Sequence, residues 1–161
     1  MIDPLLLDSL VGFINEVVDG YIVEDENGLQ MSVTVVQGFL PPKRTESDES
    51  YEKCMVQIRY NDGEADFNAG EDQAKSTNRM AIAVRTTSKD TQIGPANTIA
   101  LMAVIQRKIY EQPILGKKYR ATFPMKWTAP VSTWPFWEGE MTIPYFVPMI
   151  QEIFIGGTYN E

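Results

Sequence analysis

Histidine is absent from this chain, and cysteine occurs once, as Cys54. The first absence removes the commonest general base, the commonest metal ligand and every Ser–His or Cys–His pair. Enzymes that work with carboxylates or lysine are not excluded. The second excludes an intrachain disulfide and fits a reducing, cytosolic setting. Cys54 lies in an apolar, strand-like run, where a buried inert thiol is expected. Basic residues are also scarce: 14 Lys and Arg stand against 22 Asp and Glu, for a net charge of −8. Gripping a phosphate backbone needs a Lys/Arg surface, so non-specific nucleic-acid binding is disfavoured. An acidic protein can still surround DNA as a wall that does not hold it. No apolar run approaches the ~18 residues that a bilayer span requires. Leu5-Leu6-Leu7 is flanked by Asp3 and Asp8 and no base precedes it, so neither a secretory signal nor a membrane partner is expected. Neither a P-loop nor a Gly-x-Gly-x-x-Gly occurs, and no cofactor is expected.

What is present is the composition of one globular domain. Apolar residues make up 43% of 161 and charged residues 22%, enough to build a single core without a staple. The expected fold class is α+β: a single domain over residues 1–155, with a mixed or antiparallel sheet packed by an N-terminal helix and one central helix. Residues 156–161 are expected to be a flexible C-terminal tail.

Asp3 is suited to cap the first helix and Pro4 to occupy its first turn, where a missing N–H costs nothing. Leu6, Leu7, Leu10, Val11, Phe13, Ile14, Val17 and Val18 recur at helical spacing, and Gly20 is a stop. Glu24 to Gly28 reads as a polar turn. Met31–Gln37 alternates and is rich in β-branched residues, so it reads as a strand, and the apolar run Cys54–Tyr60 reads as the next. Asn61-Asp62-Gly63 is a turn signal, and Glu64–Arg79 a long polar connection.

From Met80 to Trp127 the pattern is strand, loop, helix, loop, strand. Met80–Thr87 is β-prone. A helix is expected from Pro95 to Glu111, with Ile99, Met102, Val104, Ile105 and Ile109 inward and Leu101 on a flank; Pro113 prevents its continuation. Tyr119–Phe123 reads as a returning strand, and Lys117, Lys118 and Arg120 as a solvated strand start. The stretch Pro124–Pro148 then holds all three tryptophans and five of the ten prolines. Prolines at this density suggest a rigid extended loop. Aromatics on such a loop can simply cover the end of the sheet; the other reading makes Trp127, Trp134, Phe136 and Trp137 candidate partner or oligomer contacts, since such side chains dominate interface hot spots. Met141–Val147 reads as a strand, and Pro144 places it at an edge or a bulge.

Between Thr45 and Asp72 there are nine acids and two bases, seven of the eight net negative charges, and the rest of the chain is nearly neutral. Solvated loops are one reading. The other is an electronegative rim, with Glu64, Asp66, Glu71 and Asp72 lining or facing a channel through which a polyanion passes without sticking. Asp62, Glu64 and Asp66 alternate as calcium ligands do. An EF-hand loop, however, needs Gly where Phe67 stands and an acid where Gln73 stands, so no metal site is expected.

The order Val84-Arg-Thr-Thr87, Ile93-Gly94, a helix, Tyr119-Arg-Ala-Thr-Phe-Pro124, Trp127 and Pro135-Phe-Trp-Glu-Gly139, then a last strand ending at Pro148, resembles the tail terminator (tail completion, tail-to-head joining) proteins of long-tailed bacteriophages. The likeness is strongest from Met80 to Pro148 and weakest over Lys43–Arg79. It implies an α+β virion structural protein that forms a homo-oligomer, a hexameric ring, on the finished tail tube. Such a ring ends tail polymerisation and meets the head connector or completion protein, and DNA passes through it without tight binding. The implied partners are the tail tube protein and that head protein. The implied place is the virion tail, assembled in the bacterial host cytoplasm. No catalytic residue is implied. Two other readings stay open on the residues alone: a monomeric protein- or carbohydrate-binding module using the Trp127–Trp137 aromatic loop, and a carboxylate-dependent hydrolase or metal enzyme using Asp62, Glu64 or Asp66.

Overall fold

A computed structural model describes residues 2–39, 54–66 and 75–148, without the side chains of Asp66 and Lys75. The order of elements is α1 (Pro4–Val18), β1 (Ile22–Glu24), β2 (Gln30–Gln37), β3 (Cys54–Asp66), β4 (Lys75–Thr87), α2 (Ile93–Glu111), β5 (Ile114–Leu115), β6 (Tyr119–Ala121), β7 (Lys126–Thr133) and β8 (Phe136–Pro148). The expected tail, 156–161, lies outside the described residues.

The first helix follows its punctuation. The Asp3 carboxylate accepts from the Leu5 N–H at 2.9 Å, Pro4 sits in the first turn, and Gly20 beyond the end has φ +74°, a left-handed value that glycine adopts without strain. Leu6, Leu10, Phe13, Ile14 and Val18 are buried, and Leu7, Val11 and Val17 pack at the margin.

The strands form one mixed sheet in the order β1-β2-β3-β4-β8-β6-β5, with β7 also paired to β8. All pairs are antiparallel except β2 with β3. The register stacks core residues in rows across the three central strands: Val56, Val84 and Gly139; Ile58, Ile82 and Met141; Tyr60, Met80 and Ile143. Strand side chains alternate in direction, so these rows share one face. Both helices cover it, and Leu101, Met102, Ile105 and Ile109 of α2 join the α1 stripe in one continuous core. Burying each large apolar side chain there contributes roughly 1.5–3 kcal/mol. The result is an α+β fold with two helices on one face of a mixed sheet, as expected.

Several boundaries differ from the sequence reading. Asn61-Asp62-Gly63 is not a turn: β3 runs through it with an irregularity between Tyr60 and Asp62. Nor is Glu64–Arg79 all connection, because β3 continues to Asp66 and β4 begins at Lys75. The pairing of Asp62–Asp66 with Lys75–Arg79 satisfies backbone groups that polar side chains alone do not locate. The short strands β1 and β5 were not anticipated. α2 begins at Ile93, because the Asp90 carboxylate accepts from the Gln92 and Ile93 N–H groups at 2.8 and 2.9 Å. Its stripe is rotated: Leu101 is fully buried and Ile99 is exposed.

The proline-rich stretch is a β-hairpin, not a loop. Each proline sits where no ladder donor is needed. Pro130 falls in the register shift between Thr128 and Val131, and Pro135 lies in the turn between β7 and β8. Pro144 is not at an edge. It pairs with Arg79 in a central strand, and its carbonyl accepts from the Thr122 N–H at 2.8 Å. The N–H that proline lacks would point to the same side, into the gap where β7 pairing has stopped and β6 pairing has not begun.

Candidate functional site

Chemistry-bearing groups are few and tied down. Among the described residues, no three of His, Cys, Asp and Glu are grouped to hold a metal ion. Cys54 is buried, and burial pushes its thiol above its ordinary value. On the sheet face away from the helices, the carboxylates are paired. Glu140 meets Arg59 at 2.6 Å and Glu138 meets Arg85 at 2.9 Å. Arg59 reaches Glu140 across β4, where Ala81 and Ala83 leave room. Arg79 meets Asp62 at 3.3 Å and Glu64 at 3.2 Å. At the start of α1, Asp3 meets Lys118 at 3.1 Å. Burial raises the Asp3 carboxyl, but the Tyr119 hydroxyl, the Leu5 N–H and Lys118 together hold it below its ordinary value.

Of the proposed acidic rim, Glu64 is exposed on β3 and ion-paired. Asp66 is the last residue of β3, and nothing of its side chain is described. Glu71 and Asp72 lie outside the described residues. A cavity of about 380 Å³ beside Glu64 is lined by Ile2, Tyr60, Asp62 and Asn78.

The four aromatic candidates do not form one surface. Trp137 is 8% exposed, and its indole N–H donates to the Ser88 carbonyl at 2.9 Å. Its ring lies on Gly94, so closely that a Cβ there would stand 2.1 Å from Nε1. The Trp137 carbonyl accepts from the Thr98 hydroxyl at 3.1 Å. Trp137 therefore locks α2 to β8 and is closed to a partner. Phe136 faces the other side of the sheet, 5.5 Å beneath the Arg85 guanidinium. Trp134 is exposed at the hairpin tip, and its indole N–H donates to the Lys89 carbonyl at 3.2 Å.

Trp127 faces the helices, opposite Met141 in register, and is 59% exposed. With Ile99, Met102, Ala103, Gln106 and Met141 it lines an apolar groove of about 150 Å³ between α2 and β7. The exposed flank of α2 continues to Tyr110, whose ring meets that of Phe123 at 4.7 Å between centroids. Ile99, Ala103, Gln106 and Tyr110 recur at intervals of four, three and four residues, a second helical stripe beside the buried one. That spacing is visible in the sequence; assigning Ile99 to the core concealed it. β7 is exposed along nearly its whole length and, among the described residues, is bonded on one side only, to β8. The most distinctive surface is therefore a free strand edge beside an apolar groove.

No protein-family model matches the chain, and no curated protein matches it. Among solved structures, the fold is similar to a chain described as "Virion of native gene transfer agent (GTA) particle", at 13% identity and a TM-score of 0.42, covering 71% of this chain and 78% of that chain. A second solved chain is similar at 12% identity and a TM-score of 0.45, covering 89% of this chain and 96% of that chain.

Proposed function

We propose that this chain is a phage virion structural protein that caps the tail tube as a ring. It ends tail polymerisation and forms the head-to-tail joining interface through which DNA passes. The role is one of assembly, and no residue is assigned to catalysis. Two things support the reading. One is the sequence resemblance that runs from Val84-Arg-Thr-Thr87 to Pro148. The other is the observation that carries most: in that same half of the fold, β7 leaves an edge unpaired among the described residues, and Trp127 and Ile99 expose an apolar groove beside it. A ring needs surfaces that take a neighbour without closing on themselves, and an open edge with an aromatic anchor is of that kind. The acidic stretch from Thr45 to Asp72 suits a channel wall that repels DNA.

The test is tube capping. The protein is added to its cognate tail tube protein during polymerisation, and tube lengths and ends are scored by electron microscopy. Capped tubes that stop growing are expected. Tubes that elongate unchanged at saturating protein would overturn the reading. The binding-module alternative is separated by Trp127→Ala: it predicts a stable monomer that loses a ligand, whereas capping predicts loss of assembly. Trp137 is unsuited to this comparison because it is part of the core.

A further inference from the structure

The sheet has a second open edge. β2 pairs with β3 only as far as Gln37 and Ile58, and the Gly38 N–H adds a last bond to the Ile58 carbonyl at 2.8 Å. Beyond it, among the described residues, Tyr60–Asp66 is paired to β4 alone. An unpaired edge is a template for another strand. The two open edges face opposite ways: that of β3 lies on the β2 side of the sheet, and that of β7 on the side of β6 and β5. Each step from β3 through β4 and β8 to β7 is antiparallel. β7 of one copy therefore meets β3 of a second copy, set in the same orientation, as an antiparallel pair.

The side chains beside the two edges also match. Gly63 and Ala65 pair with Asn78 and Ser76, on the face that carries the helices. They floor the cavity of about 380 Å³ that Ile2 and Tyr60 also line. A Cβ at Gly63 would stand 2.6 Å from the Thr77 carbonyl, so this floor stays bare. At the other edge, Trp127 faces the same side of the sheet and is 59% exposed. An indole N–H seeks an acceptor when it is buried. Asn78 Oδ1, 3.2 Å from the Gly63 Cβ position, offers one at the cavity wall. On the opposite face, Arg79 alone pairs with both Asp62 and Glu64, and Lys126 brings a further cation to that face. An exposed pair of this kind adds little, so the strand pairing and the indole carry the contact.

We infer that β7 of one copy pairs with Tyr60–Asp66 of the next, with Trp127 seated in the cavity over Gly63 and Ala65. The inference rests on the ring reading and names its subunit contact. The two edges lie at different levels. β7 is level with Phe136–Thr142 of β8, whereas the open part of β3 is level, through β4, with Ile143–Pro148. Joining them moves each copy along the strands by about six residues, or roughly 20 Å, for every four strand spacings, or roughly 19 Å, moved sideways. The strands then tilt by about 45° from the ring axis, within the range of about 35–45° at which barrels close. The contact is head-to-tail, as a closing ring requires.

Cysteine cross-linking tests this. One protein carries Ala65→Cys and another Ala129→Cys. Both positions are exposed, and the native Cys54 is buried. Circular dichroism checks the fold of each. Equal amounts are mixed and treated with a short bismaleimide, once at high protein concentration and once during tube capping. The mixture is expected to give a covalent dimer holding one of each, identified by mass, and each protein alone is expected to give none. Adding Trp127→Ala to the Ala129→Cys protein should lower the yield of mixed dimer at least roughly tenfold. Ala129→Cys linked to itself would mean that two β7 edges pair with each other, and overturns the inference. A mixture that stays unlinked in both settings, or a yield that ignores Trp127, also overturns it. Tubes that are capped without the mixed link leave the ring reading standing and remove this contact. A mixed link without capping keeps the contact and removes the tail role.

Discussion

Gly94→Ala probes the contact that joins α2 to the sheet. A methyl group at this position would lie 2.1 Å from Trp137 Nε1, 2.3 Å from Cδ1 and 2.6 Å from Cε2. Comfortable separation is about 3.5–4.0 Å, so the indole must retreat by about an ångström or more. That movement pulls its N–H from the Ser88 carbonyl, now 2.9 Å away. Leaving this buried donor without a partner costs about 1–3 kcal/mol, and crowding the packed ring costs about 1–3 kcal/mol. Replacing glycine in a helix returns at most about 1 kcal/mol. The expected net loss is about 1–5 kcal/mol, or roughly 2–20 °C in melting temperature for a domain of this size. Urea unfolding followed by circular dichroism measures it. Gly139→Ala is the control. Its methyl would meet Met102 Sδ at 2.5 Å and Cε at 3.2 Å, the far end of a flexible side chain that can move aside, so about 1 kcal/mol or less is expected. In a Trp137→Phe background, which lacks the pyrrole ring, Gly94→Ala should cost less than in the native chain. Equal stability of Gly94→Ala and the native protein, or no coupling to Trp137, would refute the reasoning.

Tyr145 is fully buried and its hydroxyl has no hydrogen-bond partner among the described residues. Tyr145→Phe should therefore leave stability unchanged or raise it by up to about 1 kcal/mol, and a loss of about 2 kcal/mol in denaturant titration would reveal a partner. Asp3→Asn keeps a capping side chain and removes the charge. The folded protein holds this carboxyl below its ordinary value of 3.8, so its contribution is fully present above that pH and fades as pH falls through the lower folded value. The stability gap between native and Asp3→Asn protein should narrow below about pH 4; a gap that stays constant from neutral pH to pH 3 contradicts the pairing. If the acidic stretch faces the DNA path, replacing Glu64, Asp66, Glu71 and Asp72 together by lysine should leave tube capping intact and slow DNA ejection from particles. Normal infectivity of those particles removes the channel.

Local signals were legible where a single element decides the outcome. Asp3, Pro4 and Gly20 mark the ends of α1 because caps and turns act within a few residues. The apolar period of α1, the alternation of β2 and the β-prone runs of β3 and β4 identify helix and strands for the same reason. The absence of histidine, the lone Cys54 and the acid excess over Thr45–Asp72 are properties of composition and need no fold to read.

The tertiary structure decided what depends on pairing between distant residues. Prolines 130, 135 and 144 suggest a loop when read alone; the hairpin of β7 and β8 accommodates them because each meets a gap in the ladder. The three tryptophans look alike in sequence, yet the register of β8 turns Trp137 into the core, while Trp127 sits in a groove and Trp134 at a tip. Ile99 and Leu101 exchange expected roles because Gly94 and Thr98 of α2 seat against Trp137 of β8 and set which face of the helix turns inward.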